Sequence, residues 1–187
     1  MSYPLFITTN DIPKFTALNG NTDVDKYLQF CQIAQDIHIQ NFLGSNLYEK
    51  ISNDITAGTL SGNYLTLVND HIKKMLIHYT MVEYLPWAAY TISNNGIYKK
   101  SSENSETISK NEVDYLIEKE RNIAEHYTER FVKYMSVNNA LFPEYNTANA
   151  DDMRADKSPY SSGWFLQYVE EEVYVKGHLK KDISNLS

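Results

Sequence analysis

A chain of 187 residues, 42% hydrophobic and 22% charged, is long enough for one domain with a real core. Its formal net charge of −7 argues against a broad phosphate-gripping surface, because non-specific nucleic-acid binding is carried by clustered Lys and Arg. No apolar run approaches the ~20 residues needed to span a bilayer, and MSYPLFITTNDIP lacks the basic-then-apolar order of a secretory signal.

The chain opens on a short extended piece, Leu5-Phe6-Ile7, followed by turn signals at Asn10-Asp11 and Asn19-Gly20. Thr22 with Asp25 three residues on resembles a capping box, with Asp in place of Glu or Gln. It predicts a helix near 24–43 with Val24, Leu28, Cys31, Ala34, Ile37 and Phe42 on one face. Leu43-Gly44 ends that helix, since glycine accepts the left-handed conformation beyond a helix C-terminus. A shorter helix near 46–56 follows, led by Leu47, Ile51 and Ile55, and Ala57-Gly58 turns the chain again.

The next element is the longest apolar stripe, on a helix near 63–91 with Ser61 as its N-cap. Leu65, Val68, Ile72, Met75, Leu76, Tyr79, Val82, Tyr84 and Leu85 recur at steps of three and four over about eight turns. So much apolar face needs company on several sides, so this helix is expected at the centre of a bundle. Pro86 predicts a kink or break near its end, with Trp87 to Tyr90 carrying on as one bent turn. Ser93 to Thr107 has no period and reads as an exposed loop or mobile hairpin. Ser109 and Glu112 form an S-x-x-E capping box for a helix near 110–138. Val113, Leu116, Ile117, Ile123, Ala124, Tyr127, Phe131 and Tyr134 are assigned to its inner face, and its outer face alternates acid and base.

From Phe142 the composition turns polar and aperiodic for about twenty residues, a length that is uncommon for a loop inside a compact domain. β-Branched and aromatic residues then crowd together from Trp164 to Val175 and suggest one or two strands. The fold class read from this pattern is mainly α: three main helices, a short fourth, and an extended, partly β C-terminal arm. Residues 1–141 form the bundle with its lead-in, and 142–187 form the linker and aromatic arm.

The residues offer no recognisable catalytic constellation. No glycine pattern for cradling phosphate and no nucleophile elbow is present, and the carboxylates fall in alternating or short runs of the solvated kind. His71 and His78 lie two turns apart, but zinc needs three or four converging ligands, so they read as surface or rim histidines. The lone Cys31 reads as a small buried core residue. The expectation is therefore no enzyme, no cofactor and no metal. Fifteen tyrosines against seven phenylalanines suit surfaces that are half wet and half buried, as interfaces are. The arm either folds back on the bundle or docks on a partner. For the second case the candidate partner-binding residues are Tyr160, Trp164, Phe165, Tyr168 and Tyr174, with Trp and Tyr as anchor types. Lys99 and Lys100 are weaker candidates for touching passing DNA.

The phrases FITTNDI, NFLGSNLYEKI, HIKKMLIHYTMVEYLPWAAYTISNNGI and NNALFPEY occur in this order across residues 5–146. Together they resemble the small helical head–tail connector (adaptor, or ring) proteins of crAss-like tailed phages of Bacteroides. The resemblance implies a structural virion protein at the head–tail junction, assembled in the host bacterial cytoplasm. It implies a homo-oligomeric ring, most simply twelve-fold, that contacts a portal protein and further tail or ring components. DNA would pass through it without sequence-specific binding, and no membrane is involved. The competing reading is a cytoplasmic helical module that binds or regulates another protein.

Overall fold

The computed structural model describes residues 4–18, 20–88, 90–93, 96–99, 109–147 and 153–158. Three long helical rods dominate them. After a short helix α1 (Asp11–Phe15), a 3₁₀ turn (Val24–Lys26) leads into α2 (Leu28–Ala34), a π-helical turn (Gln35–Ile39) and α3 (Gln40–Ala57). The second rod joins α4 (Gly62–Leu67), a second π turn (Val68–Ile72) and α5 (Lys73–Ala88). An antiparallel hairpin of β1 (Tyr90–Ser93) and β2 (Gly96–Lys99) separates it from the third rod, α6 (Lys110–Asn138). A 3₁₀ turn (Asn139–Leu141) and α7 (Pro143–Asn146) follow. No helix among the described residues is long and apolar enough to cross a membrane.

Local sequence explains several boundaries. At the start of α6, the Ser109 side chain accepts from the Glu112 amide and the Glu112 carboxylate accepts from the Ser109 amide, the reciprocal box expected there. Gly58 ends α3 at φ 67°, ψ 24°, and the Thr59 amide reaches back to the Asp54 carbonyl at 2.9 Å. Gly44 breaks α3 internally at φ 69°, ψ 163°, so one helix stops there and the next starts, as expected.

Other boundaries differ from expectation. Asp23, not Thr22, caps the entry to the first rod, by accepting from the Asp25 amide. Asn10-Asp11 opens α1 instead of a simple turn, with the Asp11 carboxylate accepting from the Thr8 amide. Ser61 stands at the N-cap of α4, but its hydroxyl makes no capping bond. The second rod continues through Pro86 to Ala88 and ends earlier than expected, with Tyr90 already in β1 rather than in a bent helical turn.

The core sits where α5 runs between α2 and α6. Met75, Leu76, Ile77, Tyr79 and Met81 of α5 join Cys31, Ala34, Ile39, Phe131 and Met135 there. A π turn holds an extra residue and rotates the helix face beyond it. That is why Ile39 is buried and Ile37, expected on the inner stripe with Cys31 and Ala34, is 52% exposed. Leu65 is likewise exposed, one residue off the face marked by Tyr64, Leu67 and Val68. The first π turn also places the buried amide of Gln35 at a junction. Its Oε1 accepts from the Phe6 amide at 2.8 Å, and its Nε2 donates to the Pro4 carbonyl and the Tyr48 hydroxyl, each at 3.0 Å. One side chain thus ties the N-terminal lead-in to both parts of the first rod.

The bundle also extends beyond residue 141. Phe142 and Tyr145 are buried, Phe142 against Tyr64 and Tyr134, and Tyr145 against Phe131. Residues assigned from composition to a linker therefore complete the core; aromatic side chains override the polar background around them. Leu76→Ala, which empties a fully buried site, should lower stability by about 2–5 kcal/mol in urea unfolding. Gln35→Leu should cost about 1–3 kcal/mol by stranding the Phe6 amide and the Pro4 carbonyl.

Candidate functional site

Of the candidate site residues, Lys99 is placed at the end of β2, opposite Tyr90 in the antiparallel ladder. Lys100, Tyr160, Trp164, Phe165, Tyr168 and Tyr174 lie outside the described residues, as does the arm expected to be partly β. The described part of the chain presents a different surface, which the helical pattern misassigned.

That surface is the first half of α6. From Lys110 to Ile123 no residue is buried; Ala124 is the first. Tyr115 is 57%, Leu116 41% and Ile123 40% exposed, although periodicity put Leu116 and Ile123 on the inner face. For the opening turns, up to about Leu116, the cause is the length of the partner helix. Ile123 lies farther along, opposite about Val82, and is exposed on the flank of the covered part. α5 and α6 run antiparallel, with His71 against Tyr134 and His78 against Tyr127. Carrying that register forward turn by turn puts Ala88, the last residue of α5, opposite about residue 117. The opening turns of α6 therefore outrun the helix that would cover them. Trp87 and Tyr90, at the same end of the α5–α6 pair, are also exposed, at 51% and 45%. A shallow hollow of about 420 Å³ lies against this half of α6, lined by Asp114, Ile117, Glu118, Arg121 and Asn122. Apolar and aromatic side chains set among mixed charges have the make-up of a protein contact surface.

His38, His71 and His78 are half-buried at the rims of the helix seams, whereas His126 is exposed. His71 stacks on Tyr134 with ring centroids 4.1 Å apart. His78 stacks on Tyr127 and places Nδ1 2.7 Å from Glu120. His38 stacks on Tyr79 at 4.1 Å and places Nε2 2.8 Å from Glu83. Tyrosine serves the same seams: the Tyr79 hydroxyl meets Thr128 Oγ1 at 3.2 Å, Tyr27 donates to the Thr9 carbonyl and Tyr64 to Glu144. Much of the tyrosine excess that suggested an outer interface is thus spent inside, where a ring fills space and its hydroxyl finds a partner. Burial pushes the Tyr64 hydroxyl up to about 12, with help from Glu144, and the Cys31 thiol up to about 11. Cys31 is therefore a neutral core thiol at physiological pH, donating to the Tyr27 carbonyl. No group of three or more potential metal ligands occurs among the described residues.

The fold and this surface define a helical-bundle protein with an uncovered apolar helix end. A family model matches residues 39–153, more than half of the chain, and the chain belongs to that family, a family of unknown function (DUF6712). No curated protein and no solved structure matches it.

Burial holds the His71 imidazole below its ordinary value of 6.5, with Lys74 and Arg130 acting in the same direction and Asp70 opposing. The unfolded chain then takes up this proton more readily than the folded one, so stability falls with acid. The loss begins near the ordinary value and is complete below the lowered one. His71→Phe, which keeps a ring against Tyr134 without a proton site, should show a shallower fall in stability between pH 7 and pH 5. Equal slopes for the two proteins would contradict the assignment.

Proposed function

We propose that the protein is a structural subunit of a virion, a head–tail connector that assembles as a ring between a portal and the tail. The observation that carries this reading is the uncovered half of α6, with Tyr115, Leu116 and Ile123 exposed beside Trp87 and Tyr90 at the end of α5. A protomer taken from an assembly leaves such a face bare. The resemblance to connector proteins of crAss-like phages supplies the kind of assembly, its twelve-fold expectation and the portal and tail components as partners. The net charge of −7, multiplied around a ring, suits a channel that lets DNA pass without holding it. The arm residues Tyr160, Trp164, Phe165, Tyr168 and Tyr174 are proposed to reach a neighbouring subunit or the portal.

The test uses the full chain, alone and with the candidate portal, by light scattering after size exclusion and by electron microscopy. Closed rings, or rings formed on the portal, are expected. Leu116→Glu, at an exposed position, should leave the circular dichroism unchanged and weaken association about tenfold or more. A chain that stays monomeric with the portal present would contradict the connector reading and favour a module that binds some other protein.

A further inference from the structure

The Gly44 break is occupied. Residues 153–158 lie across it, the Ser45 amide donating to the Met153 carbonyl at 3.0 Å and the Asp156 amide to the Asn41 carbonyl at 2.8 Å. These bonds serve two helix ends that the break creates, one needing an acceptor and one a donor. The approach is close: a Cβ on Gly44 would stand 2.6 Å from the Ala155 nitrogen and 3.1 Å from the Met153 carbonyl oxygen. Glycine therefore does two things here, adopting the positive φ and leaving room for another backbone.

Most of the strap faces solvent, unlike the core helices. Ala155 is partly buried against the bundle, while Met153, Arg154, Asp156, Lys157 and Ser158 are exposed. Lys157 adds a contact to Asn146 and lies over the Tyr145 ring. Ser45 at the break is itself buried, so the exposed side of the socket is the strap, and mostly exposed segments open at lower free energy than core helices. A separate anchor lies just upstream, where Asn46 Nδ2 donates to the Thr147 carbonyl and hydroxyl.

We propose that the strap and the Gly44 break form a latch that opens locally, and that its state sets the reach of the chain beyond Ser158. Closed, residues 153–158 are tied to the break, and in the sequence Ser158 stands two residues before Tyr160 and six before Trp164. Open, the Thr147 anchor is the next tie upstream among the described residues, and residues 148–158 amount to about 36 Å of chain when fully extended. The purpose assigned to this reach, delivering aromatic side chains to a neighbour, rests on the connector reading; the latch itself does not.

Amide hydrogen exchange on the isolated full chain tests the latch. In the wild type, the Asp156 amide should exchange at least tenfold slower than an unstructured amide and at least a hundredfold faster than the Leu76 amide. Asp156→Pro removes the strap's donor from outside the helices, and Gly44→Ala wedges the socket. Each should speed exchange at Ser45 by tenfold or more, and Asp156→Pro should do so with Leu76 unchanged. Spin labels at Thr56 and Ser162 should give a longer and broader distance distribution in Asp156→Pro. The proposal is overturned if wild-type Asp156 exchanges at the unstructured rate, or in step with Leu76. It is equally overturned if Asp156→Pro leaves Ser45 and the label distances unchanged. None of these readings involves a portal, so a failed connector assignment would show separately, as wild-type chain that does not associate.

Discussion

At Gly44 the backbone takes φ 69° with ψ 163°, a conformation essentially restricted to glycine, and much of the first half of the molecule is arranged by it. It divides one long helical rod into two, so that Phe42 and Leu43 on one side and Leu47 and Ile51 on the other all reach the core. It leaves a carbonyl and an amide for a segment more than a hundred residues later in the sequence to complete. It also omits the one side-chain atom that would keep that segment away. A substitution there strains the backbone and blocks the strap together, so both effects would appear in one variant.

A second constraint comes from what lines the seams. Gln35, Thr80 and Thr128 are fully buried, and each is hydrogen-bonded: Gln35 to the lead-in and Tyr48, Thr80 to the Leu76 carbonyl, Thr128 to the Ala124 carbonyl. Histidine–tyrosine stacks then join α5 to its neighbours on both sides. The Thr80 and Thr128 bonds stay within their own helices. The contacts that cross from α5 to α6, Tyr79 to Thr128 and His78 to Glu120, fix register, because sliding one helix along the other breaks them. The α5–α6 register is therefore set by specific partners, and the overhang of α6 past Ala88 follows from it.

How much of this was legible follows from the range of the interactions. The Ser109–Glu112 box, the Gly44 break and the Gly58 cap are local, written within a few residues, and were read as they stand. The three long helices were visible from periodicity, and Leu76 and Tyr79 were placed in the core. The π turns were not, because one inserted residue leaves no mark on an apolar pattern except a shifted face, seen at Ile37 and Ile39. The first half of α6 was misassigned because its own pattern is amphipathic; before about residue 117, only the length of α5 decides that the apolar side stays bare. The strap was illegible for a third reason: Met153 and Asp156 bind through backbone atoms, which any residue but proline offers. Phe142 and Tyr145 were hidden by the polar residues around them.

The central claim is that the exposed first half of α6 meets another protein chain. Hydrogen–deuterium exchange read by mass spectrometry, on the chain free and then mixed with the portal proposed as its partner, tests it most directly. The account predicts new protection concentrated in peptides covering residues 110–123 and 87–90, with the α5 core unchanged. Protection that falls elsewhere, or none in these two stretches, would contradict it.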